Sequence, residues 1–195
     1  ARLQAAIEIL DGIAAGSGAP AEQVVNDYLR QRRYIGAKDR RAVTAMTYDV
    51  LRHRARLDWW LRRGEADTAA RRQLLAYLLL CEQRDPETLR ALFDGSRYAP
   101  PVLSDEECAL LERLAVEARE AVPPAWVARE VPDWLAPRLE AAVGEGAGAE
   151  AEALLQEAPV DLRVNSLLTT REQARAALAE EDFATTPTPL SPHGL

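Results

Sequence analysis

Lysine is almost missing from this sequence. Lys38 is the single lysine among 24 basic residues, and the others are all arginine. Arginine forms two-pronged hydrogen bonds to phosphate and stacks on nucleobases, which a lysine ammonium does not do. A GC-rich coding sequence produces the same bias. The composition therefore permits a nucleic-acid-binding role without identifying one.

Cysteine is also scarce. Cys81 and Cys108 are the only two, and they do not have the spacing of a metal-binding pair. Two cysteines in a chain of 195 residues do not form a disulfide scaffold either. Both lie at apolar positions of helical patterns, which predicts buried free thiols in a reducing compartment.

Long apolar runs and a signal peptide are missing too. No apolar run approaches the ~18 residues that a membrane helix needs. We therefore expect a cytoplasmic protein with no membrane partner. His53 stands among arginines without a placed nucleophile or carboxylate, which favours a surface or phosphate-facing role over catalysis. The sequence predicts no catalytic residue and no metal site.

The charge that is present is unevenly distributed. Residues 30–63 have a net charge of about +8, whereas the whole chain has a net charge of −7. An acidic protein with one concentrated basic segment is typical of a local anion-binding face, and nucleic acid is one candidate ligand.

The basic segment also has helical periodicity. From Gly36 to Arg63 the pattern predicts one long helix, with Asp39 as its N-cap. If this helix breaks near Arg54, each half keeps its own pattern but their relative phase is lost. One face carries an apolar stripe, and the opposite face carries a basic stripe. The apolar stripe consists of Val43, Met46, Val50, Leu57 and Leu61, and the basic stripe of Arg41, Arg52, Arg56 and Arg63. A core helix with a merely solvated charged face is the competing interpretation.

Most other segments up to residue 124 are also predicted to be helical. Residues 68–83 are apolar nearly all round, so we expect that helix to be the most buried. Asp85 and Ser104 are predicted to cap the two helices that follow. Trp59 and Trp60 are interpreted as core anchors, with exposed stacking platforms as the alternative.

The pattern changes after Pro124. Residues 144–148 read GEGAG, but they follow a predicted helix instead of a strand, so we interpret them as a linker and not as a cofactor loop. A short helix is then predicted up to Glu157. Asp161–Val164 is predicted as a strand, followed by a helix capped by Thr170 and by a second extended segment, Ala184–Leu190. Three such elements cannot close a core alone, so further chain is expected after Leu195.

Two stretches resemble a known family. Residues 39–59 (DRRAVTAMTYDVLRHRARLDW) resemble the central helix of NusB-like domains, closest to the version found in RsmB/Sun-type RNA methyltransferases. PDWL at 132–135 and DLRVNSL at 161–167 are similar to the segment that joins that domain to the methyltransferase core. The resemblance implies a mainly α fold: a NusB-like helical bundle over residues 1–124, then a small α/β (RRM-like) piece. Residues 125–195 would contain linker helices and this partial RNA-binding subdomain, and a Rossmann-type core would follow.

The family transfers a methyl group from S-adenosylmethionine to carbon 5 of cytosine in RNA, through a cysteine thiolate that adds to the base. Neither Cys81 nor Cys108 lies in the family's cysteine motifs. The resemblance therefore implies that this chain binds no cofactor and is inactive alone, while the parent enzyme uses S-adenosylmethionine.

The expected partners are RNA, with ribosomal RNA favoured, and the downstream methyltransferase core. The residues that we expect to contact RNA are Arg32, Arg33, Lys38, Arg40, Arg41, Arg52, Arg56, Arg63, Arg163 and Asn165. Two alternatives stay open at this point. One is an RNA-binding antitermination factor of the NusB kind, and the other is a protein-interaction scaffold without RNA contact.

Overall fold

The computed structural model describes residues 1–16, 18–156 and 158–195. It is mainly helical, as the sequence predicts. The chain divides into two compact units, Ala1–Leu155 and Gln156–Leu195. The domain boundary predicted after residue 124 stays a prediction.

The first unit contains ten of the helices in the described part of the chain. They are α1 (Arg2–Ala14), α2 (Ala21–Gln31), α3 (Ala37–Arg52), α4 (Arg54–Arg63), α5 (Ala70–Leu80), α6 (Pro86–Leu92), α7 (Asp105–Glu117), α8 (Ala125–Ala128), α9 (Ala136–Val143) and α10 (Ala147–Leu154). The helix predicted to reach Glu157 thus ends at Leu154, and Glu157 lies outside the described residues.

Helix α5 is the centre of this unit. It packs against α1, α3, α4, α6 and α7. Leu74, Leu75 and Leu78 are fully buried, because the centre of α5 is apolar and five other helices pack against it. The prediction that this helix is the most buried is confirmed. A smaller cluster, in which Ile9 of α1 meets Val25 of α2 and Val43 of α3, completes the core.

Local capping sets several of the helix starts. The Asp85 carboxylate accepts a hydrogen bond from the Thr88 backbone at 2.8 Å, with Pro86 in the first turn. Ser104 forms a full capping box with Glu107. These N-caps match the sequence predictions, because each depends only on residues three positions apart.

The long helix predicted over Gly36–Arg63 is interrupted at His53, which separates α3 from α4. The prediction of one continuous helix is wrong, and the reason lies outside the segment. The backbone N–H groups of Ala55 and Arg56 donate to the carboxylate of Glu130, at 2.7 and 3.0 Å. Those donors lie in the first turn of α4, so the apolar and basic stripes belong to two helices.

Asp39 is also not an N-cap. Helix α3 is preceded by Gly36, and Asp39 lies in its first turn, where a carboxylate favours the positive end of the helix dipole. Asp39 instead pairs with Arg2 of α1 at 2.6 Å.

The second unit contains α11 (Arg171–Glu180), which begins with a capping box between Thr170 and Gln173 as predicted. The described residues contain no strand and no sheet. Asp161–Val164 forms only an isolated antiparallel bridge, between Arg163 and Gly194, flanked by reciprocal hydrogen bonds of Leu162 and Leu195. The predicted strand–helix–strand unit is therefore not formed here, and residues 162–164 pair with residues 193–195, not with Ala184–Leu190.

Few side chains in the second unit are buried. Val164 and Leu195 are covered, whereas no residue of α11 is buried. Leu167, Leu168 and Leu190 are more than 80% exposed. This agrees with the expectation that elements of this number and size do not enclose a core on their own.

Candidate nucleic-acid interface

Three of the predicted RNA contacts are free cations. Arg33, Lys38 and Arg41 lie in the turn between α2 and α3 and in the first turns of α3, and all three are exposed. None of their side chains forms an ion pair or hydrogen bond with another residue that the structure describes. A cation without a carboxylate partner keeps its full charge for a phosphate. These three residues, here named the free cation set, are the strongest part of the predicted interface.

Two further predicted contacts stabilise the turn that carries the free cation set. Arg40 donates from Nε to the backbone oxygen of Ile35 at 2.8 Å. Arg32 contacts the Glu8 carboxylate at 3.3 Å, and its guanidinium lies 3.7 Å from the centre of the Tyr28 ring. Both side chains therefore have structural partners within the helical unit.

The distal part of the basic stripe is paired as well. Arg52 forms a 2.6 Å ion pair with Asp49, one helical turn earlier. Arg63 contacts Glu117 of α7 at 3.0 Å and lies over the Trp59 ring at 5.7 Å. Each carboxylate lowers the positive potential that these arginines present to an external phosphate.

Arg56 is the most strongly engaged of the set. Its Nη2 donates to the Ala128 backbone oxygen at 2.7 Å, and its Nε lies 3.9 Å from the Glu130 carboxylate. Burial raises the pKa of Glu130, and the two backbone donors and the Arg56 charge oppose that shift without cancelling it. The Arg56 charge thus compensates a carboxylate whose side chain is only 5% exposed.

The second unit carries the remaining predicted contacts, Arg163 and Asn165. Both are exposed. The Asn165 Oδ1 accepts a hydrogen bond from the Leu167 backbone at 3.1 Å, so this side chain shapes the turn that follows. Arg163 has no ion-pair partner among the described residues, and its side chain is available to a ligand.

A cleft in the helical unit contains residues that the sequence analysis did not select. It has a volume of about 660 Å³. Tyr34 and Tyr98 line it with exposed rings, and Arg97 lies 5.1 Å from the centre of the Tyr98 ring. The Arg-Tyr pairs at 33–34 and 97–98 are the sequence signal that could have identified these residues.

The floor and walls of the cleft have fixed charges. Arg2 and Arg32 line it together with their partners Asp39 and Glu8. Burial raises the pKa of Glu8, but the hydrogen bonds from Tyr28 and Gln4 and the charge of Arg32 outweigh it, and the pKa lies below its ordinary value. Glu8 is therefore ionised at neutral pH and neutralises Arg32.

The tryptophans and cysteines have structural positions. Trp60 is 4% exposed, which confirms it as a core anchor, and Trp59 packs edge-on against it with ring centres 4.7 Å apart. Cys81 and Cys108 are free thiols, but both are only half-buried, so the prediction of full burial is wrong. Burial raises the pKa of Cys81 to about 11, which keeps it as a neutral thiol.

The glycine-rich run at 144–148 does not have the context of an S-adenosylmethionine loop, which follows a strand. The glycine-rich run forms a 3-10 turn, Gly144–Gly146, between α9 and α10, and no strand precedes it. A Cβ on Gly146 would lie 3.3 Å from Val143, and one on Gly148 would lie 3.3 Å from Arg129, so these glycines serve close helix packing. The exposed turn Gly144–Gly146 joins α9 to α10, and the burial of Ala147 marks the start of α10.

The described ranges contain neither a metal-binding cluster nor a membrane-spanning helix. No group of three histidine, cysteine or carboxylate side chains is arranged to bind a metal ion. No helix there combines the length and apolar character needed to cross a bilayer.

Comparison with known proteins links the C-terminal third of the chain to a methyltransferase family. The family model described as "Methyltr_RsmF/B-like, ferredoxin-like domain" matches residues 131–195. Comparison with curated proteins gives no significant match. Residues 131–195 are thus similar to the ferredoxin-like domain of RsmF/B-like methyltransferases.

Proposed function

We propose that this chain is the RNA-binding N-terminal region of an S-adenosylmethionine-dependent RNA cytosine-5 methyltransferase. Its task is to position RNA, in the first place ribosomal RNA, for a catalytic core elsewhere in the parent protein. The observation that carries the proposal is the RsmF/B-like match over residues 131–195. On this proposal the chain acts in the cytoplasm and transfers no methyl group by itself.

The two predicted domains have separate tasks in this proposal. Residues 1–124 serve as a NusB-like domain whose free cation set contacts phosphates. Residues 125–195 contain an RRM-like subdomain, in which Arg163 and Asn165 contact single-stranded RNA. The match over 131–195 favours this function over an antitermination factor of the NusB kind.

The test compares two charge-reversal variants of equal charge. In the first, Arg33, Lys38 and Arg41 are changed to Glu; in the second, Arg84, Arg90 and Arg119 are changed to Glu as a control outside residues 30–63. RNA binding is measured by fluorescence anisotropy with a labelled single-stranded RNA at fixed salt. The first variant is expected to lose binding, and the control to retain most of it. Equal affinities for wild type and the first variant would refute RNA binding by the free cation set.

A second candidate function is docking to the catalytic core. It is favoured by the exposed apolar side chains of the second unit, among them Leu167 at 92% and Leu190 at 97%. If this is the main role, the chain binds a separately expressed core of the parent protein, and changing both leucines to Ser prevents it. A chain that binds the core without salt-sensitive RNA binding would establish docking as the function.

A further inference from the structure

The cleft lined by Tyr34 and Tyr98 has the size and lining of a ligand site. Its volume of about 660 Å³ lies within the range of roughly 300–1,000 Å³ typical of small-ligand sites. Ala5, Ile35 and Val43 give it an apolar part, and arginines give it a charged part. Such a combination suits a ligand with one flat apolar group and one anionic group.

We propose that this cleft binds an unstacked nucleotide of single-stranded RNA, with the base against the Tyr34 and Tyr98 rings and a phosphate at Arg97. The inference rests on the proposed RNA-binding function and adds a base contact to it. It also assigns a site to three residues outside the predicted basic stripe.

The two tyrosine rings are the first part of the argument. Tyr34 is 82% exposed and Tyr98 is 62% exposed, so neither ring contributes much to the core. Tyr28, which lines the same cleft, differs because its hydroxyl donates to Glu8 at 2.7 Å. Exposed aromatic rings beside cations are the feature on which proteins stack the bases of single strands.

The charges of the cleft are the second part. Arg2 and Arg32 are neutralised by Asp39 and Glu8, as described above. Arg97 has no carboxylate partner within the described part of the chain, and it lies over the Tyr98 ring at 5.1 Å. One free guanidinium beside an aromatic ring matches a nucleotide, which has one phosphate beside one base. A polyanionic ligand or an acidic peptide would need several free cations and no aromatic ring.

The neighbouring cations decide between a free nucleotide and a strand. Arg33 precedes Tyr34 in sequence, and Lys38 precedes Asp39, so two members of the free cation set adjoin residues that line the cleft. A mononucleotide has no further phosphate for them. A strand that continues out of the cleft does, and we therefore assign RNA as the occupant.

The experiment uses the full chain and fluorescence anisotropy with a short single-stranded RNA. Tyr34 and Tyr98 are changed together to Ala. Removal of a base-stacking residue weakens the RNA affinity about 5- to 100-fold for each ring, so the double variant is expected to lose at least that much. Changing both to Phe keeps the rings and is expected to leave the affinity unchanged. Because both side chains are exposed, the variants are expected to keep the helical circular-dichroism signal of the wild type.

The chain offers a matched control pair. Val116 and Val122 are exposed apolar side chains that lie outside the cleft and outside residues 125–195. Changing both to Ala is expected to leave the affinity within about twofold. An equal loss from both pairs, or no loss from the tyrosine variant, would overturn the cleft as the base site.

Three ligands separate the possible outcomes. Single-stranded RNA is expected to bind, the same sequence as a duplex to bind weakly, and a nucleoside monophosphate to compete only at high concentration. A monophosphate that binds as tightly as the strand would overturn RNA as the occupant. Loss of RNA binding in the Arg33, Lys38 and Arg41 variant, without loss in the tyrosine variant, would refute the cleft and leave the proposed function standing. Binding of neither RNA nor monophosphate would refute both.

Discussion

The carboxylate of Glu130 accepts a hydrogen bond from the backbone N–H of Arg56 at 3.0 Å, across 74 positions of the chain. It accepts a second from Ala55 at 2.7 Å. One side chain therefore satisfies two backbone donors at the start of α4, which has no side-chain cap of its own. Glu130 thus fixes the boundary that divides the basic segment into two helices.

The first prediction follows from this contact. Changing Glu130 to Gln keeps the size of the side chain and the positive φ of residue 130, but it replaces one acceptor oxygen with an amide donor. We expect the free energy of unfolding to fall by about 1–3 kcal/mol, because a partly buried donor is left without its charged acceptor. The urea-unfolding midpoint followed by circular dichroism measures this. Glu140→Gln, at an exposed ion pair with Arg129, is the control and is expected to change little.

A second prediction concerns Arg56 itself. Changing it to Glu places two carboxylates together in a site where Glu130 is 5% exposed, so we expect a loss of about 3–5 kcal/mol in stability. Changing Arg41 to Glu is expected to cost less than about 0.5 kcal/mol, because Arg41 is exposed. Thermal unfolding of both variants separates the structural arginine from the free one. Equal stability of the two would show that the Arg56 contacts contribute nothing.

These contacts also show what could be predicted from sequence and what could not. The N-caps at Asp85, Ser104 and Thr170 were predictable because donor and acceptor are three residues apart. The burial of Val50 and Leu57 followed from periodicity. Both signals are local, so one sequence suffices to read them.

The break at His53 and the pairing of the arginines were not predictable in the same way. The carboxylates involved come from distant parts of the chain, Glu117 from α7 and Glu130 from the turn after α8. Helical periodicity gives the face on which an arginine lies, but not the charge that folding places opposite to it. Pairs such as Arg52–Asp49 and Arg62–Asp58 were within reach of a local rule, since their members lie three or four residues apart on one helix.

A third prediction concerns acid stability through Glu107. This carboxylate forms a two-pronged contact with Arg71, at 2.7 and 3.0 Å, and is 7% exposed as a residue. Burial raises the pKa of Glu107, but the hydrogen bonds from Arg71 and Ser104 outweigh it, so the pKa is lower in the folded state. A lowered pKa means that the stabilisation is present above the unfolded-state pKa and is lost as the pH falls through the folded-state pKa.

We therefore expect the wild type to lose stability steadily as the pH falls from about 5 toward 3, and the Glu107→Gln variant to lose less over that range. Gln keeps an acceptor for the capping box, so the comparison isolates the charge. Urea unfolding at a series of pH values gives, for each of the two proteins, the slope of the unfolding free energy against pH. Glu106→Gln, at an 86% exposed side chain, is expected to follow the wild type. Identical slopes for wild type and the Glu107 variant would contradict the prediction.

A fourth prediction tests whether Cys81 is a nucleophile. Burial raises its pKa to about 11, with the Arg56 charge only partly opposing the shift, so the thiolate is a very small fraction at pH 7.5. In a Cys108→Ser background, we expect alkylation of Cys81 by iodoacetamide to be about tenfold slower or more than in the urea-unfolded chain. Mass spectrometry at timed intervals follows the reaction. Fast labelling of the folded protein would indicate an activated thiol and reopen a catalytic role.

The last prediction concerns the salt dependence of RNA binding. Each phosphate contact on a single strand contributes a slope of about −0.7 to the plot of log affinity against log salt. Arg41→Gln removes a free cation, so we expect the slope to become shallower by about 0.7. Arg52→Gln removes a cation that Asp49 already neutralises at 2.6 Å, so we expect it to leave the slope nearly unchanged. Anisotropy titrations at four salt concentrations measure both. Equal changes for the two variants would mean that the Arg52–Asp49 pair opens on RNA and that the whole stripe, including its paired members, binds phosphate.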